Sequence, residues 1–161
     1  MPDEARHFVG VLQRIVRTAL TQVRDLSESD LNRSLDLPSS NTAFVLATHL
    51  IGSAEYWVLE LVGGREVQRE RSAEFRAVGD ATALTTRYER FLEAMQEVLD
   101  TLPNERLDQL VDVPMNYRPT HEEEPMTVRE ALLHVVEHCA LHQGHLELTR
   151  QLLGYEASGM Q

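Results

Sequence analysis

Thr127–Leu153 reads TVREALLHVVEHCALHQGHLELTRQLL, and it carries four of the chain's seven histidines: His134, His138, His142 and His145. Their spacings of four, four and three are the neighbour spacings of an α-helix. At roughly 100° per residue all four fall within an arc of about 80°. Thr127 with Glu130 forms a capping-box pattern that opens the helix. The stretch is therefore one helix with a strip of imidazoles, and imidazole is the commonest metal-binding side chain. With His134 set at 0°, Val128, Ala131, Val135, Cys139, Leu146 and Leu153 span roughly 60–140° and mark the core side. His142 near 80° and His138 near 40° face inward on the same wheel; His145 and His134, about 20° and 0°, sit at its boundary.

Three more helices precede this one. The first runs from about Asp3 to Asp25 on Phe8, Leu12, Ile15, Val16, Ala19 and Val23. The second follows SSNT at 39–42 and ends at Gly63-Gly64. Leu46, Ala47, Leu50, Ile51, Ala54, Trp57, Val58 and Leu61 give it too broad an apolar arc for a surface helix, so it is expected to be the most buried. His49 is its one histidine. The third runs from about Ala81 to Leu102 on Leu84, Tyr88, Phe91, Leu92, Met95 and Leu99. Ser27 is placed to cap a short turn. The polar, arginine-rich connection from Arg65 to Asp80 shows no pattern. Only short apolar pieces such as Val111–Val113 suggest a strand.

The halves repeat. A shift of 76 positions lays Leu84, Tyr88, Phe91, Leu92, Met95, Leu99 and Leu102 on Phe8, Leu12, Ile15, Val16, Ala19, Val23 and Leu26. It also lays Leu107, Asp112 and Pro114 on Leu31, Asp36 and Pro38 as identities. With a longer second loop, Thr127 and His134 match Thr42 and His49. Amphipathic helices resemble one another, but the ungapped linkers ending DLP and DVP are harder to dismiss. The expected fold is all-α: a single domain over 1–161, a four-helix bundle of two pseudo-repeated helical hairpins with long connecting loops. Helices two and four are expected to be the buried pair.

Composition narrows the function. At 161 residues the chain is long enough for one substantial core. A net charge of −11 leaves no basic surplus for a phosphate backbone, so nucleic acid is not an expected partner. The lone Cys139 excludes an intramolecular disulfide and suggests a reducing compartment. The charged MPDEARHF start lacks a signal peptide's apolar core, and no apolar run approaches the roughly 18 residues a bilayer requires. The expectation is a cytoplasmic protein without membrane association.

For a single helix histidine, a hydrogen-bonded boundary position is the ordinary role. Two inward histidines at i, i+4 and a third on the most buried helix favour a site, because burying three imidazoles without metal or partners is costly. A rival pattern is His134-Val135-Val136-Glu137-His138, formally H-x-x-E-H with Glu137 as general base. Glu137 lies near 300° on the wheel, away from the core. Cys139 reads as core rather than nucleophile. Trp57 and Tyr56 read as packing or as the wall of a cavity beside His49. His121 with Glu122–Glu124 reads as a solvated loop, and His7 has no evident partner.

The H-C-A-L-H-Q-G-H run at 138–145 resembles the last helix of the DinB/YfiT-like metalloenzyme family. In that family a final H-x-x-x-H is completed by one histidine of the second helix, ahead of aromatics. His49 before Tyr56 and Trp57 fits that place. The resemblance implies a four-helix bundle, often a homodimer, with a divalent metal on His49, His138 and His142. The repeat equates His49 with His134 and does not by itself choose the ligands. Relatives include thiol-cofactor-dependent S-transferases and isomerases, which implies such an activity on a small-molecule substrate with a low-molecular-weight thiol. Two other readings stay open: hydrolysis by a metal-bound hydroxide, and a non-catalytic metal-binding stress protein. An all-imidazole set suits zinc, nickel, copper or iron. Availability favours zinc, then nickel.

Overall fold

The computed structural model describes residues 3–114, 117 and 125–156. It is 67% helix and 3% strand. Four long helices carry it: α1 (Asp3–Val23), α3 (Ala43–Ala54) with its π-helical continuation Glu55–Val62, α5 (Ala81–Asp100) and α6 (Val128–Leu152). Short turns α2 (Glu28–Leu31) and α4 (Arg71–Glu74) lie in the connections. Leu110–Val111 (β1) and Met126–Thr127 (β2) pair antiparallel, Leu110 opposite Thr127.

The caps are where the side chains allow them. Ser27, Thr42, Asp80 and Thr127 each accept a backbone N–H at the start of a helix. At Thr127 the Glu130 carboxylate returns to the cap's own N–H, completing the capping box. The chain leaves the π-helical segment through Gly64, at φ 66°, a conformation glycine adopts without steric cost.

The repeat is visible in three dimensions. Both linkers carry one helical turn with a buried leucine, Leu31 and Leu107. Thr42 and Thr127 cap the helices that follow. The two halves interlock. The α1 helix packs chiefly against α5 and α6, and α3 with its π-helical segment packs against the same two. Each helix thus buries its apolar face mainly on the other half of the chain.

Every residue of α3 is buried, as its broad apolar arc requires. The expectation that helices two and four form the buried pair is corrected for the last helix: α6 buries one face and leaves Leu133, Leu141, Leu148 and Leu152 about half exposed. The expectation about apolar runs also needs correction. Ala43–Val62 is 20 residues long with mean hydropathy 1.2, enough by length and composition to span a bilayer. Within the bundle 78% of its most apolar window is buried, so it serves as the core helix here.

Candidate metal centre

His49 enters from the middle of α3, where all neighbours are buried, and is itself only 7% exposed. His138 and His142, one turn apart on α6, are half-buried and meet it across the α3–α6 contact. The His49 ring lies 5.1 Å from that of His138 and 4.9 Å from that of His142, and the α6 pair are 4.5 Å apart. One nitrogen from each ring falls within 4.8 Å of the others, so the group is able to hold a metal ion. Among the described residues no other group of three ligand-type side chains gathers this closely.

The two imidazoles that α6 gives to this group are neutral near pH 7 for physical reasons. Burial, then the neighbouring imidazoles His142, His49 and His134, push His138 down to about 3. Burial, followed by His49 and His145, brings His142 down to about 4. Nδ1 of His138 is buried without a hydrogen-bond partner, one of two such side-chain atoms among the described residues, with Thr48 Oγ1. An orphaned imidazole nitrogen in a cluster of neutral nitrogen donors is what a divalent cation would satisfy.

His49 is fixed from behind. Its Nδ1 lies 2.8 Å from Oε2 of Glu74, a residue of α4 that is 5% exposed. Arg69 donates to both oxygens of the same carboxylate, at 2.7 and 3.1 Å. Burial raises the Glu74 carboxyl, but the bonds from His49 and Arg69 outweigh it and the group stays ionised. Glu74 packs where Gly52 leaves room: a Cβ there would stand 2.4 Å from Oε1. An ionised acceptor at Nδ1 keeps the proton on that atom and leaves Nε2 to face the cluster. The sequence reading missed Glu74 and Arg69. The nearest cue was an acid flanked by Ala73 and Phe75 in an otherwise polar connection.

The remaining candidates separate cleanly. The His134 ring packs at a tilt against Trp57, with ring centres 4.5 Å apart, burial lowers its pKa, and it stays outside the cluster. His145 is exposed, its Nδ1 3.4 Å from Nδ1 of His142. Glu137 lies on the exposed face of α6. Cys139 is fully buried and pushed up to about 12 by burial, which makes it core. His7 is exposed, and His121 with Glu122–Glu124 lies outside the described residues. A cavity of about 150 Å³ adjoins His49 and His138 and is walled by Trp57, Tyr117, Arg69 and Arg71. Tyr117 stacks on Tyr56 at 4.4 Å, and Arg69 lies against both rings.

The family model for mycothiol-S-transferases matches residues 7–154, which takes in the four long helices except the first turn of α1, and the three imidazoles. The chain belongs to the mycothiol-S-transferase family. This family is DinB/YfiT-like, so the resemblance read from the last helix holds at family level. Among solved structures, the chain is similar to the "Crystal structure of the conserved protein of locus from Enterococcus faecalis", with a TM-score of 0.70 over 95% of this chain and 98% of that one. At 14% identity that likeness speaks for the fold alone. No curated protein matches the sequence.

Proposed function

We propose that this family member is a metal-dependent mycothiol S-transferase whose divalent ion, zinc before nickel, is held by His49, His138 and His142. Membership of the family implies thiol-related S-transferase chemistry. The observation that carries the metal reading is the convergence of three imidazoles within 4.8 Å around an unpartnered His138 nitrogen. Three nitrogen ligands leave an ion net positive with a position open, the pattern of catalytic rather than structural sites. Such an ion supplies the charge that keeps a thiol in its thiolate form near neutral pH.

The chain's own residues do the rest. Glu74 holds the His49 tautomer, Arg69 balances Glu74, and Trp57 with Tyr117 narrows the adjoining cavity against water. In the transfer a sulfur–carbon bond forms to the electrophile, its leaving group departs with the bonding pair, and the thiol proton passes to solvent. A homodimer, implied by the family resemblance, and a cytoplasmic setting complete the proposal; a thiol co-substrate and the single buried cysteine both suit reducing conditions.

Protein purified without added metal should contain close to one ion per chain, lost in His49→Ala, His138→Ala and His142→Ala. Incubation with mycothiol and a chlorinated electrophile should give the thioether, and the three variants should not. Unchanged metal content in all three variants would remove the site assignment. Ester or amide hydrolysis with no thioether would favour the hydrolase. A metal that only raises the melting temperature would favour the stress protein.

A further inference from the structure

The cavity beside the imidazoles is chemically one-sided. The chain has 26 acidic residues against 15 lysines and arginines, yet among the described residues no carboxylate lines this space. Two guanidiniums do, those of Arg69 and Arg71. Arg69 is neutralised by Glu74. Arg71 has no hydrogen bond or ion pair among the described residues. The neighbouring Glu70 carboxylate accepts instead from Ser72. The Arg71 guanidinium lies 5.7 Å from the centre of the Phe75 ring, a cation–π arrangement that steadies the charge without consuming its hydrogen-bond donors. Phe75 in turn packs on His49, with ring centres 5.1 Å apart, so Arg71 is tied to the cluster through one aromatic ring.

We infer that Arg71 is a specificity-determining residue that binds the carboxylate of a small anionic electrophile in this cavity. The inference rests on the S-transferase reading and names its second substrate by class. Charge balance gives the reason. A thiolate sulfur would answer the charge of an ion held by the imidazoles, and the guanidinium needs an anion of its own, which a carboxylate meets with two parallel hydrogen bonds. Volume sets the size: about 150 Å³ is well below the several hundred typical of drug-sized pockets, so the electrophile is a short acid. Trp57 offers an apolar face for its carbon atoms, and the buried Ser53 hydroxyl a further polar contact.

Iodoacetate and iodoacetamide test this as a nearly isosteric pair, one anionic and one neutral. With mycothiol each forms a thioether as the carbon–iodine bond breaks, iodide takes the electron pair and the thiol proton goes to solvent. Cys139 is fully buried and out of reach of either reagent. After correction for the uncatalysed rates, the kcat/KM ratio of iodoacetate over iodoacetamide should fall about tenfold in Arg71→Gln, chiefly through KM, the size of one charge-assisted contact. Arg71→Lys should recover part of it. Metal content measured alongside checks that the imidazole site is intact. An unchanged ratio in Arg71→Gln overturns the inference even if both rates drop.

A binding arm needs no turnover. Trp57 is the only tryptophan and lines the cavity. Its emission should respond saturably to propionate and not to propionamide, and Arg71→Gln should abolish the response. Propionate binding that survives Arg71→Gln places the carboxylate elsewhere and overturns the inference. If the wild-type protein conjugates neither reagent, the S-transferase reading fails, while the emission titration still decides the anion site.

Discussion

His138 and His142 carry a chemical consequence that metal-free protein should display. Burial and neighbouring imidazoles hold them near 3 and 4 in the fold, against about 6.5 when unfolded. Between these values the unfolded chain binds protons that the folded chain refuses, so stability rises with pH. The contribution is complete above about 6.5 and drains away as the pH falls towards 4. One fully shielded imidazole would cost about 1.4 kcal/mol per pH unit, and partial solvent access reduces this. The pair is expected to remove about 2 kcal/mol from metal-free protein between pH 6.5 and 4.5. Urea midpoints across that range measure it. His138→Gln should flatten the slope, and a wild-type profile already flat would mean that these imidazoles protonate at no cost to the fold.

At the scale of elements, the connection from α3 to α5 is the surprise, because it looks featureless in sequence and supplies the backing of the site. Glu74 on α4 holds His49, and Gly52 on α3 leaves the room it occupies. Glu74→Gln removes the charge that fixes the His49 tautomer and should weaken metal binding about tenfold to a hundredfold. Competition with a chromogenic chelator reads this directly. Gly52→Ala should weaken binding in the same direction, since its Cβ would displace the Glu74 carboxylate. Wild-type affinity in both variants would reduce the Glu74 contact to packing. The contrast also explains what could be read beforehand. His49, His138 and His142 sit on long helices, where a 3.6-residue period says which way a side chain points. Arg69, Arg71 and Glu74 sit in a connection without a period, and only the tertiary fold brings them to the imidazoles. The π-helical turn of α3 was likewise hidden, because Glu55–Val62 shows the same apolar spacing as an ordinary helix.

In the whole molecule, interlocked halves explain both the buried cluster and a row of leucines that the described residues leave uncovered. Because α1 and α3 each pack on α5 and α6, one face of α6 is consumed by the core and the other is left outside. Of the eight large hydrophobic side chains exposed among the described residues, four lie along that outer face: Leu133, Leu141, Leu148 and Leu152. Ala140 and Gly144 lie between them and are also exposed, and nothing stands within 4 Å of a Cβ built on Gly144. The four leucines are strung along about 28 Å of the helix with the exposed Glu137 among them, and a row of half-exposed leucines of that length suits an association surface. A two-fold axis near its centre would set α6 antiparallel to its copy and bring Leu133 of one chain towards Leu152 of the other, burying all four leucines twice. This is the face on which the proposed homodimer is expected. Sedimentation at micromolar concentration should find a dimer for the wild-type chain. The double variant Leu141→Glu with Leu148→Glu should find a monomer of unchanged helical content, because both side chains point away from the core. A wild-type chain that sediments as a monomer throughout, or a double variant that stays dimeric, would move the interface off α6.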